Sequence, residues 1–210
     1  MQFENHIFKV LSGDLKTTLH TPDNSTGKLA VVLPGAGYTC KQPLLHYATQ
    51  VLLQKNFPVL SIDQVYADNP TWVNLDTMEA ALKVVEEDCK VLFPSIKEKF
   101  KQEIHTVLGR SLGTYMIACA LESQALTAKQ IVWQTPSLNG KWNVIKKCGI
   151  RGFCIIGTAD ERYETARPHL SETTLVIENA DHAMEIQGDP LRSIEILVQV
   201  TRATAEWIQI

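Results

Sequence analysis

No Cys-x-x-Cys pair occurs in this 210-residue chain, and its five cysteines (Cys40, Cys89, Cys119, Cys148, Cys154) are odd in number and widely spaced. That pattern provides neither a zinc cluster nor a disulfide framework, so buried free thiols are expected. Long apolar runs are missing too. The longest uncharged stretches, Leu29 to Cys40 and Gln42 to Gln54, fall short of the ~20 residues that cross a bilayer, and Pro, Gly or polar groups interrupt both, so no membrane span is expected. Nor is there an excess of positive charge. Lys and Arg total 20 against 23 Asp and Glu, a formal charge of -3 with no basic block, which argues against a nucleic-acid partner. The opening MQFENHIFKV carries Glu4 before any Lys and has no apolar core ending in small residues. It does not read as a secretory signal, and a cytoplasmic protein is expected. H-E-x-x-H, paired metal-ligand spacings and a P-loop are absent, so neither metal nor cofactor is expected. With 45% hydrophobic and 20% charged residues the composition is that of a folded chain, and the length fits one domain over residues 1–210.

What is present is an alternation of strands and helices. Phe8 to His20 has partial period-two alternation around Gly13-Asp14, which predicts a β-hairpin turning there. Leu29 to Leu33, Pro58 to Ile62, Ile104 to Leu108, Gln130 to Gln134, Gly152 to Ile156 and Leu175 to Glu178 read as short strands. Between them, Leu44, Leu45, Ala48, Val51 and Leu52 recur at helical spacing, and Leu75, Met78, Leu82, Val85, Cys89 and Leu92 form a stripe running to the breaker Pro94. Another helix runs from Leu112 to about Ser123, and Leu191, Ile194, Leu197, Val198 and Thr201 mark a closing helix after Pro190. This rhythm predicts an α/β fold, a mostly parallel sheet covered by helices on both faces.

The most specific signal is Gly109-Arg110-Ser111-Leu112-Gly113, wedged between an apolar strand and an apolar helix. A serine in a Gly-rich turn is usually structural; a strand, tight turn and helix around it make the context of a nucleophile elbow. Small residues two positions either side of the serine let strand and helix approach, and the Leu112 amide, at a helix N-terminus, faces a developing oxyanion. Arg110, at the variable position before the serine, is suited to bind a carbonyl or carboxylate under the elbow, or to be solvated.

On these residues the chain resembles the α/β-hydrolase superfamily, from about Lys28 to the last helix. The resemblance implies a mostly parallel eight-stranded sheet with an N-terminal antiparallel hairpin, and a Ser, acid, His order along the chain. Gly157-Thr158-Ala159-Asp160 looks like the family's acid turn, with Asp160 as orienter of the base. Asn179-Ala180-Asp181-His182 is similar to the loop that bears the base, His182. Taken singly, Asp160 reads as a turn or N-cap residue and His182 as a solvated loop histidine. Some members place the acid one strand earlier, but Ile131 to Gly140 contains no Asp or Glu. Asp181 is too near His182 in sequence to reach its ring, and Glu161 is expected to point away from the turn. The second oxyanion donor is expected, by resemblance, among the amides of Ala36, Gly37 and Tyr38 in the loop Pro34 to Tyr38. The rival reading of that loop as a dinucleotide G-x-G-x-x-G fails at Cys40, which stands where the last glycine should be.

Tyr38, Thr39, Tyr66, Trp133 and Thr135 lie just beyond strand ends, where pocket walls form in open α/β sheets, and each reads equally as core or surface. His6, His20, His46, His105 and His169 carry no such context. Only about 17 residues separate the strands on either side of the usual lid insertion, so no lid is expected. The resulting expectation is a lidless serine hydrolase acting on a small ester, thioester or related acyl substrate. The alternative is a non-catalytic hydrolase-fold protein that binds a small ligand or a protein partner; acyl transfer to an acceptor other than water shares all the residues.

Overall fold

The computed structural model describes residues 1–63, 65–170 and 173–210. The strands β1 (Gln2–Val10), β2 (Gly13–Thr21), β3 (Leu29–Leu33), β4 (Val59–Ile62), β5 (Ile104–Arg110), β6 (Gln130–Gln134), β7 (Arg151–Gly157) and β8 (Leu175–Ile177) form one eight-stranded sheet in the order β1-β2-β4-β3-β5-β6-β7-β8. β1 with β2 and β2 with β4 are antiparallel, and all other pairs are parallel. The helices are α1 (Pro43–Gln54), α2 (Pro70–Val73), α3 (Met78–Phe100), α4 (Leu112–Glu122), α5 (Val144–Lys147), α6 (Tyr163–Ala166) and α7 (Pro190–Trp207).

Alternate residues of the central strands feed two separate cores, which is why these strands read as unbroken apolar runs. Leu29, Val31, Leu33, Val107, Ile131, Trp133, Cys154 and Ile156 pack on the α3 and α4 side. Ala30, Val32, Leu108, Val132, Phe153 and Ile155 pack on the α1 and α7 side. Four cysteines are buried, Cys148 is half-buried and all five are free. Burial pushes the Cys154 thiol up to about 12, so it is inert at neutral pH. No described helix is long and apolar enough to cross a membrane.

Three local expectations are corrected. The hairpin turns at Leu11-Ser12, because Val10 pairs with Gly13, and Gly13, at φ +124, is the first residue of β2 after the turn rather than part of it. The turn is anchored where the buried Asp88 carboxylate accepts the Ser12 N–H at 2.9 Å. Next, α3 does not stop at Pro94 but continues to Phe100. The missing N–H and ring clash cost about 3 kcal/mol, yet Phe93 and Ile96 are fully buried around the proline. Burying two such side chains contributes about 3–6 kcal/mol, which carries the helix through. Last, α7 buries Ile196, Val200 and Thr204 and leaves Leu191, Ile194 and Val198 exposed. The two apolar stripes lie about 150° apart around the helix, so periodicity alone could not choose between them.

Candidate active site

The elbow is built by backbone proximity. A Cβ on Gly109 would lie 2.6 Å from the Gly113 carbonyl oxygen, and one on Gly113 would lie 2.5 Å from that of Leu33. Only glycine permits β5, α4 and β3 to come this close. Ser111 between them has φ 51 and ψ -116, and its N–H donates to the Gln134 carbonyl of β6 at 3.0 Å. Its side chain is thereby lifted above the C-terminal edge of the sheet.

Ser111, Asp160 and His182 meet there. His182 Nδ1 is 2.7 Å from Asp160 Oδ2, and His182 Nε2 is 3.0 Å from Ser111 Oγ. A carboxylate only accepts, so Nδ1–H is the donor in the first bond, and the neutral ring's Nε2 then accepts from the serine hydroxyl. Asp160 is 3% exposed. Burial on its own raises a carboxyl pKa, but the bonds from His182 and the Arg162 N–H, together with the charges of both residues, hold Asp160 below the usual carboxylate range. A folded pKa below the unfolded one means stability that is fully present above the unfolded pKa and lost as pH falls through the folded value. Asp160→Asn is therefore expected to melt below the wild type at neutral pH, with the gap closing as pH falls below the ordinary carboxylate range. Thermal melts across that range check this; a gap that does not change with pH overturns it.

The relay closes into a ring. Thr114 Oγ1–H donates to the Ser111 carbonyl at 2.6 Å and accepts from the Ser137 N–H at 2.9 Å. Ser137 Oγ accepts from Arg162 Nε at 3.0 Å, and the Arg162 N–H donates to Asp160 Oδ1 at 2.9 Å. Thr114, Ser137 and Arg162 were not apparent from sequence; the hydroxyl of Thr114 in the first turn of α4 was the only local signal. Asp181 has a role of its own. Its Oδ1 accepts from the N–H groups of Ala183 and Glu185, at 2.8 and 3.0 Å, which fixes the loop around His182. Glu161 points to solvent and pairs with Arg162.

Leu112, first residue of α4, has no intrahelical partner for its N–H, which leaves it free for an oxyanion. In the facing loop the Gly35 N–H is spent on the Tyr38 carbonyl at 2.9 Å. The amides of Ala36, Gly37 and Tyr38 have no partner among the described residues. The Ala36 carbonyl is pinned by the Ala67 N–H at 2.8 Å. A Cβ on Gly35 would sit 3.5 Å from Ser111 Cβ, so this loop lies directly against the serine.

Three expected pocket walls are buried instead. Trp133 is fully buried and faces the α3 and α4 core, and Tyr66 is buried with its hydroxyl donating to Asp88 Oδ2 at 2.8 Å. Thr135 is also fully buried, at φ 42. Thr39 is half-buried, and its N–H donates to Gln42 Oε1. The Tyr38 hydroxyl accepts from the Leu44 N–H at 2.9 Å, capping α1. Beside it lies a cavity of about 560 Å³ between α1, α7 and the loop after His182, lined by Tyr38, Leu44, Met184, Ile186 and Leu197 among others. Residues 135–150 between β6 and β7 hold only the one-turn α5, so no lid covers the serine. Among the described residues no group of three His, Cys, Asp or Glu side chains could hold a metal ion.

Sheet order, hairpin and elbow together define an α/β-hydrolase fold without a lid. The chain is similar in structure to a dienelactone hydrolase from Anabaena variabilis ATCC 29413, with TM-score 0.70 and 18% identity over 99% of this chain and 97% of that one. It is also similar to an α/β serine hydrolase without lid from Xanthomonas campestris, with TM-score 0.66 and 14% identity over 100% and 97% of the two chains. An esterase domain from Rhodothermus marinus matches with TM-score 0.62 and 12% identity over 97% and 98%. No protein-family profile and no curated protein sequence matches this chain.

Proposed function

We propose that this chain is a serine hydrolase that cleaves a small ester, thioester or related acyl bond. The observation that carries the reading is the unbroken relay from Ser111 Oγ through His182 to the buried Asp160 carboxylate. A serine hydroxyl is a weak nucleophile unless a base takes its proton as it attacks. Ser111 Oγ bonds to the substrate carbonyl carbon while His182 Nε2 accepts the proton, and Asp160 stabilises the resulting imidazolium without being protonated itself. The carbonyl oxygen becomes an oxyanion, held by the Leu112 amide and an amide of the Ala36 to Tyr38 loop. Collapse breaks the bond to the leaving alcohol or thiol, which takes the proton from His182 and leaves an acyl-Ser111. Water then adds to the acyl carbon as His182 takes its proton. The second collapse releases the carboxylic acid and returns the proton to Ser111.

The fold of the neighbours supports the reading, and the lidless serine suits a small acyl substrate over one that needs a mobile apolar cover. The test is labelling with a fluorophosphonate probe, followed by intact mass and peptide mapping. A single adduct on Ser111, weakened in His182→Ala, is expected. A folded, accessible protein that takes no adduct would overturn the hydrolase and favour the ligand-binding alternative.

A further inference from the structure

Arg110, the residue before Ser111, takes no part in the relay, yet it is only 5% exposed. A buried guanidinium is costly unless it is paired. Among the described residues no carboxylate forms an ion pair with it. Its contacts are with the two loops that flank the serine. One edge donates from Nη2 to the His182 backbone carbonyl at 2.9 Å, across 72 residues of sequence. Its flat face lies on the Tyr38 ring, with Cζ 3.8 Å from the centroid. Nη1 lies under Gly35, where a Cβ would be 3.2 Å away.

Ser111 is fixed by the elbow, but the base and the second oxyanion donor arrive on separate loops from opposite ends of the chain. Among the described residues no hydrogen bond joins one loop directly to the other. A group that touches both can set it, and a guanidinium offers a stacking face and a hydrogen-bonding edge at once, whereas an ammonium offers only a point donor. Tyr38 transmits the hold, since its carbonyl accepts from Gly35 and its hydroxyl caps α1.

We infer that Arg110 is a positioning residue that clamps the oxyanion loop through the Tyr38 ring and the His182 loop through its carbonyl, fixing base and oxyanion donors around Ser111. The inference rests on the serine-hydrolase reading. Its test compares wild type, Arg110→Met, Arg110→Lys, Tyr38→Leu and the Met/Leu double variant for kcat and KM on a short-chain p-nitrophenyl ester, fluorophosphonate labelling rate and melting temperature. Arg110→Met is expected to lower kcat and labelling on the order of a hundredfold, with KM changed by less than about threefold. Arg110→Lys should recover part of the rate, and the double variant should fall little below the worse single one, because both break the same clamp. A folded Arg110→Met with kcat within about twofold of wild type, or fully additive losses in the double variant, overturns the clamp. If Arg110→Met does not fold, near wild-type rates in both Arg110→Lys and Tyr38→Leu overturn it instead. A wild type that neither labels nor turns over removes the hydrolase reading and the clamp with it. A labelled wild type matched by an equally fast Arg110→Met removes the clamp alone.

Discussion

Replacing Ser111 with alanine is expected to lower kcat for a short-chain ester by on the order of a millionfold while leaving substrate binding and the fold nearly unchanged. The size follows from what the hydroxyl does. In the proposed mechanism it supplies the attacking atom, so without it the acyl-enzyme cannot form, and His182 and the oxyanion donors are left to assist water alone. His182→Ala should cost nearly as much, because a serine without its base is no better than no serine. Combining the two changes should add little to either, since they disable one unit. Steady-state rates on carefully purified protein decide the matter. A loss of less than about tenfold in Ser111→Ala would mean that the nucleophile lies elsewhere.

Gly157→Ala, a change outside the relay, is expected to damage both stability and rate. Gly157 ends β7, and a Cβ there would lie 2.0 Å from the carbonyl oxygen and 2.5 Å from the carbonyl carbon of Ala180. Ala180 is fully buried and precedes Asp181 and His182. The two segments are zipped together: Thr158 N–H donates to the Ile177 carbonyl at 2.9 Å, and Ala159 N–H to that of Ala180 at 3.0 Å. A methyl group at 157 meets backbone rather than a side chain that could swing away, so the strands must part. Overpacking of this kind costs about 1–3 kcal/mol or more, and the lost backbone bonds add about 1 kcal/mol each. The same displacement separates Asp160 from His182, for which a loss in kcat on the order of a hundredfold is expected. Thermal melts and steady-state rates check both parts. Wild-type rate and melting temperature in Gly157→Ala would show that this close contact does not set the spacing of acid and base.

The parts of the molecule legible in the sequence are those governed by local rules. Strands buried on both faces read as apolar runs, and Gly109 and Gly113 announce the close approach of β5, α4 and β3. Ser111, Asp160 and His182 each follow a recognisable strand, which is why they could be named together. The pocket walls were not legible for the same reason that the strands were. When both faces of a sheet are covered, an aromatic residue at a strand end carries no mark of which side it serves. Trp133 and Tyr66 thus went to the core. Thr114, Ser137, Arg162 and the Arg110 contacts depend on segments far apart in sequence, and no periodicity encodes them. Pro94 shows local chemistry losing to burial, and α7 shows two stripes of similar hydrophobicity with only one partner surface.

On the serine-hydrolase reading, the backbone at Ser111 sets activity against durability at a single position. Its φ of 51 with ψ of -116 lies where residues bearing a Cβ are penalised by about 1–3 kcal/mol, whereas glycine is comfortable there. Tuned for thermal endurance alone, the chain would carry glycine at 111 and give up the hydroxyl. It carries serine instead, and the tightly packed strands on either side, β3 and β6, absorb the penalty. An elbow that kept its strained residue with no use for the hydroxyl would be giving up stability for nothing.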